Sequence, residues 1–125
     1  MDNETTANSI NRLFIEHLYA IENYHTFKVT VNSGAFAGTS NFCLSKEKIS
    51  IIVEQLCNMY ETLTGNCKIM DYDSDAHIII EMENFGHMNV YGQIGGSYEE
   101  HSLKFKFSTD QTILYEVINL FKEVL

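Results

Sequence analysis

The sequence predicts an α+β fold in which a curved antiparallel sheet carries two amphipathic helices on one face. Three observations point there. Two segments repeat their apolar residues at steps of three and four, while much of the remainder alternates with a period of two. The connections between segments are short, and short connections join antiparallel neighbours, because a parallel crossover needs roughly a dozen residues or more. Each helix has one apolar stripe and each later strand one apolar face. Packing both helices over one side of the sheet buries all of these surfaces together.

Residues 1–9 are polar and read as a frayed terminus. Residues 10–21, INRLFIEHLYAI, fit two periods. Ile10, Leu13, Phe14, Leu18 and Ile21 would share a helical face, whereas Leu13, Ile15, Tyr19 and Ile21 would alternate along a strand. The next segment is clearer. Phe27, Val29 and Val31 face one way and Lys28, Thr30 and Asn32 the other, a half-buried strand that turns at Ser33-Gly34. Phe36, Phe42 and Leu44 then sit at even spacing, so 36–44 returns as a strand, with a bend or bulge expected at Gly38.

Over 46–63 the period changes. Ile49, Ile52, Val53, Leu56, Tyr60 and Leu63 define one helix face. Ser45 serves as N-cap, Leu44 with Ile49 forms a hydrophobic staple, and Gly65 supplies the left-handed terminating residue. Four strands follow. Residues 67–71 form the first; in 77–83, Ile78, Ile80 and Met82 oppose Ile79, Glu81 and Glu83. A reverse turn over 83–86 leads into 88–94, where Met88, Val90 and Ile94 alternate with Asn89, Tyr91 and Gln93. Gly95-Gly96 opens a loop, and 102–107 sets Leu103, Phe105 and Phe107 against Ser102, Lys104 and Lys106. Ser108 with Gln111 reads as a capping box for a last helix over about 110–124, with Leu114, Val117, Ile118, Phe121 and Leu125 inward.

The length of 125 residues suits a single domain spanning 1–125. A chain of this size can hold itself together with one apolar core. No apolar run approaches the roughly 18–20 residues of a membrane helix. The opening MDNETTANS lacks the basic and apolar regions of a signal peptide. Three cysteines (Cys43, Cys57, Cys67) fit no familiar disulfide or zinc spacing, so buried free thiols in a cytoplasmic protein are expected. Seventeen acidic residues against eight basic ones give a net charge of −9. That balance argues against nucleic-acid binding and favours a basic partner or simple solubility.

The motifs carry no reaction chemistry. Asp71-Tyr72-Asp73-Ser74-Asp75 has the D-x-D-x-D start of a calcium loop, but Ala76 and Met82 stand where Gly and Glu are required, so it reads as a solvated acidic turn. Five histidines form no H-x-x-x-H pair; a zinc site would need Cys67, His77 and His87 to meet across the 77–94 hairpin. Cys57, beside the first helix's stripe, reads as a buried structural thiol. No G-x-S-x-G or phosphate loop occurs. No enzyme, cofactor or metal is therefore expected.

Charge placement is the feature that points to function. From Ile69 to Leu103 there is no Lys or Arg, while Asp71, Asp73, Asp75, Glu81, Glu83, Glu99 and Glu100 all fall there. Such a surface either keeps the chain soluble or docks a basic protein, with Tyr72, Tyr91 or Tyr98 as anchors.

The segment Phe27-Lys28-Val29-Thr30-Val31-Asn32-Ser33-Gly34-Ala35-Phe36-Ala37-Gly38 resembles the opening pattern of WapI-type immunity proteins, small bacterial proteins encoded beside secreted polymorphic toxins. Leu63-Thr64-Gly65, the isolated Gly86 and Gly92, and Lys104-Phe105-Lys106-Phe107 followed by Asp110-Gln111-Thr112 are similar too, so the resemblance spans about 12–125. It implies a strand over 12–21 and the order β-β-β-α-β-β-β-β-α. It also implies binding of a cognate toxin domain. The charge placement assigns that contact to Asp71, Asp73, Asp75, Glu81, Glu83, Glu99 and Glu100, with Tyr72 and Tyr91 as anchors, and if the toxin is a nuclease its basic groove would suit such a surface. The alternatives are a binding module or ligand-carrying subunit using the concave sheet face, and a metalloprotein built on Cys67, His77 and His87. Oligomeric state leaves no mark in the sequence.

Overall fold

A computed structural model of the chain describes residues 11–125. The fraying expected over 1–9 lies outside the described residues. The element order is the expected one. Strands β1 (Arg12–Ile21), β2 (Tyr24–Ser33) and β3 (Phe36–Ser45) precede helix α1 (Lys46–Thr62). Strands β4 (Asn66–Met70), β5 (His77–Met82), β6 (His87–Ile94) and β7 (Leu103–Asp110) precede helix α2 (Thr112–Lys122). All strand pairs are antiparallel. They divide into a three-stranded sheet, β1-β2-β3, and a four-stranded sheet, β4-β5-β6-β7.

Segment 12–21 takes the strand alternative, with Leu13 opposite Val31, Ile15 opposite Val29 and His17 opposite Phe27. The register slips between His17 and Tyr19. Because strand side chains alternate, this extra residue reverses the facing of the residues beyond it. Tyr19 and Ile21, which simple alternation would turn inward, are therefore exposed. In β3 the ladder to β2 runs without interruption through Gly38. Gly38 marks no bulge; it is where the two sheets touch. A Cβ there would stand 2.8 Å from Ile94 Cδ1 of β6.

Helix α1 begins as expected, with Lys48 N–H donating to Ser45 Oγ at 3.2 Å. It ends on Leu63 (φ 57°), not Gly65, and the Leu63 N–H reaches the Met59 carbonyl at 2.8 Å. The chain doubles back there toward β4, and Met59 Cγ would lie 3.5 Å from a Cβ at Gly65. Consequently Met59 completes the buried stripe of Ile49, Ile52, Val53 and Leu56, while Tyr60 and Leu63 are exposed.

The expected capping box at the second helix does not form. Strand β7 runs on through Ser108, whose hydroxyl donates to Asn89 Oδ1 at 2.9 Å. Asp110 instead closes the helix start, accepting the Thr112 N–H at 3.0 Å and its hydroxyl. These bonds hold the Asp110 carboxyl below its ordinary pKa. Helix α2 buries Ile113, Leu114, Val117, Ile118 and Phe121; Leu125 lies beyond its end and is exposed.

Buried side chains of both sheets and both helices form one continuous cluster. Phe27 of β2 meets Phe121 of α2 edge-on at 5.1 Å between centroids. Among the described residues, no helix is long and apolar enough to cross a membrane.

Candidate functional site

The rows Met70–His77, His77–Gln93 and Gln93–Lys104 place the β4–β5 and β6–β7 connections at the same end of the four-stranded sheet. This topology brings the two acidic loops together. Asp71 is buried, and its carboxylate accepts the Cys43 N–H at 2.8 Å, the Asp73 N–H at 3.2 Å and the Ser74 hydroxyl at 2.6 Å. It is therefore a clamp, not the solvated charge expected of it. The Tyr72 N–H donates to the Cys43 carbonyl at 2.9 Å, extending the junction with β3.

Asp75 joins the two loops. Its carboxylate accepts both the N–H and the hydroxyl of Ser97, which hold its pKa below the usual carboxylate value. In the second loop, Glu99 Oε2 accepts the Gly96 N–H at 3.2 Å, and the Gly95 N–H donates to Ser40 Oγ of β3 at 3.2 Å. Gly95 (φ 78°) cannot readily be replaced, since a Cβ would fall 2.6 Å from the His101 carbonyl oxygen. Asp73, Asp75, Glu99 and Glu100 are exposed at this end.

Two aromatic side chains flank the carboxylates. Tyr98 is fully exposed. Tyr72 is also exposed and tilts against Tyr24 at 5.1 Å between centroids. The adjacent Tyr72 hydroxyl raises the Tyr24 pKa above its ordinary value. Open clefts run between these loops and β3. One of about 520 Å³ lies beside residues 37–40 and 99–103, and one of about 470 Å³ beside residues 39–41 and 71–74. A third, of about 650 Å³, separates Tyr72 and Asp75 from Tyr98 and Glu99.

Glu81, Glu83 and Tyr91 do not join this cluster. Glu81 lies between Asn66 and Asn89 on the outer face of the four-stranded sheet. The neighbouring row is Lys68, Ile79, Tyr91 and Lys106, with Lys106 Nζ 5.8 Å from the Tyr91 ring centroid. Lys104 follows beside Gln93. Strands β4 and β7 thus carry lysines onto a face that looked purely acidic in the interval between them. Glu83 follows the opposite end of β5, roughly 20 Å from His77 at strand spacing. Asn89 and Gln93, expected on the open face, are buried; Gln93 Nε2 donates to the Gly95 carbonyl at 2.8 Å.

The zinc alternative loses its geometry. His77 pairs with Gln93 and His87 with Asp110, so the two histidines mark opposite ends of the hairpin. Cys67 points into the core, where burial pushes its thiol up to about 12. No cluster of three or more metal-ligating side chains occurs among the described residues. The expectation of buried thiols holds for Cys67 alone, since Cys43 and Cys57 are partly exposed.

Ser40, Ser97 and Tyr24 belong to the site and were not singled out in the sequence. Ser97 lies 22 residues from the carboxylate it binds, and no local pattern announces such a pairing. Residues 12–125 match the family described as "Immunity protein WapI-like family". No curated protein and no solved structure matches the chain.

Proposed function

The chain belongs to the WapI-like immunity protein family, and from that premise we propose that it neutralises a cognate secreted toxin domain by contact alone, within the cytoplasm. The acidic end of the four-stranded sheet is the docking surface. The observation that carries this reading is the convergence of Asp73, Asp75, Glu99 and Glu100, from two loops, beside open clefts. Exposed carboxylates steer a basic partner at a distance, and Tyr72 and Tyr98 offer apolar area once water is expelled. A nuclease suits the surface, because its substrate groove must be basic and carboxylates can take the place of phosphates. Asp71 contributes by holding the first loop in shape. Glu81, Glu83 and Tyr91 lie outside this surface and contribute less.

The carrier reading finds no comparable support. The inner face of the four-stranded sheet is filled by Ile78, Ile80, Met88 and Val90, all fully buried. Co-expression tests the proposal: the toxin domain encoded beside this chain should be neutralised and should co-purify with it. Absence of both protection and a complex would remove the idea.

A further inference from the structure

We propose that the outer edge of β3 takes up an extended, basic segment of the bound protein as an added strand. The inference rests on the docking surface above and specifies how it grips. Among the described residues, β3 is the last strand of its sheet, paired with β2 on one side only. Along an antiparallel strand, backbone groups point alternately toward and away from the neighbour. Cys43 shows which set points away: its N–H donates to Asp71 and its carbonyl accepts from Tyr72. Asn41, Thr39 and Ala37 share that direction, because the register with β2 runs unbroken through Lys28, Thr30 and Asn32. Among the described residues, no backbone group pairs with these three on that side.

Exposed edges usually carry a charged side chain, a proline or a bulge that repels another strand. Here residues 37–41 are Ala-Gly-Thr-Ser-Asn, small and uncharged, in an unbroken ladder. The edge opens onto the clefts of about 520 and 470 Å³. Such an edge offers strand addition its main-chain partners, and the walls choose the side chains. Asp73, Glu99 and Glu100 line those clefts, with no Lys or Arg beside them. A strand bearing Lys or Arg at alternate positions fits. The chain's own residues 1–10 carry Asp2, Glu4 and no basic side chain, and a second copy would bring a further charge of −9. Both are the wrong sign.

The test uses the full chain, labelled with 15N, and a ten-residue peptide of alternating lysine and threonine at low salt. The Thr39 and Asn41 amides should shift and exchange more slowly on binding. The same peptide methylated at every backbone nitrogen should bind about tenfold more weakly despite its equal charge, as expected when main-chain hydrogen bonds are lost. Thr39→Pro should weaken binding and Thr39→Ala should not.

Equal binding of the methylated peptide, shifts confined to other residues, or no binding at millimolar peptide would overturn the proposal. So would Thr39 and Asn41 amides already protected in the free chain, whether protection vanishes on deleting residues 1–10 or on dilution. If the toxin is neutralised while these amides stay silent, strand addition fails and the immunity reading stands. If the peptide adds as a strand but no toxin is neutralised, the reverse holds.

Discussion

The Asp71 carboxylate accepts the backbone N–H of Cys43 at 2.8 Å, so one buried side chain fastens the acidic loop after β4 to the edge of the other sheet. It also accepts from Asp73 and Ser74 within its own loop. Three neighbouring carboxylates would otherwise repel each other. Donors surrounding one of them let the loop close.

Asp71→Ala should therefore cost about 2–3 kcal/mol, because it removes the charged acceptor of three part-buried hydrogen bonds. Asp73→Ala, at an exposed position two residues on, should change stability by no more than about 0.5 kcal/mol. Urea unfolding of both variants measures the contrast. Equal effects would show that Asp71 is not the clamp.

Charge reversal separates the two acidic regions. Asp73→Lys with Glu99→Lys should slow association with the toxin domain by about tenfold or more at low ionic strength. The difference should largely vanish in about 1 M salt, where screening is nearly complete. Glu81→Lys with Glu83→Lys should have a much smaller effect, since Lys68, Lys104 and Lys106 already share the outer sheet face with Glu81. Stopped-flow association rates at several salt concentrations decide it.

At the contact between sheets, Gly38→Ala places a methyl 2.8 Å from Ile94 Cδ1. The overpacking should cost about 1–2 kcal/mol. Ile94→Val removes that methyl and should itself cost about 1 kcal/mol. In the double variant the second penalty should largely disappear. A double-mutant cycle by chemical denaturation reads the coupling; simple additivity would place the contact elsewhere.

His25 is buried, with Nδ1 3.0 Å from His17 Nε2. Burial lowers its pKa, and the neighbouring His17 and Lys46 charges lower it further. The unfolded chain then takes up a proton below about pH 6.5 that the folded chain refuses. Stability from this group is full above that pH and is lost as pH falls toward the depressed folded value. His25→Asn should flatten the dependence between about pH 5 and 7. Parallel slopes in the two proteins would show that His25 does not titrate this way.

Much of the fold was legible because its causes are local. Phe27, Val29 and Val31 alternate with polar residues and are buried as the alternation requires. Ser45 caps α1 from three residues away. Errors arose where a distant segment intervened. Ser108 and Gln111 have capping-box spacing, but Asn89 on the neighbouring strand engages Ser108 and keeps it in β7. Tyr60 sits centrally on the helical stripe, yet the returning chain covers Met59 instead. For the site, the acidic loops were visible as residue types. Their meeting through Asp75 and Ser97 was not, and neither was the separation of Glu83 from them.

The order of strands and helices, the apolar faces and the acidic excess follow from this chain's sequence by itself, because periodicity, caps and composition act within a few residues. Tertiary structure alone decided which carboxylates share a surface, which one is buried as a clamp, and which strand edge lies beside them. Those outcomes depend on pairing register between segments tens of residues apart, where a single slip reverses every side chain beyond it.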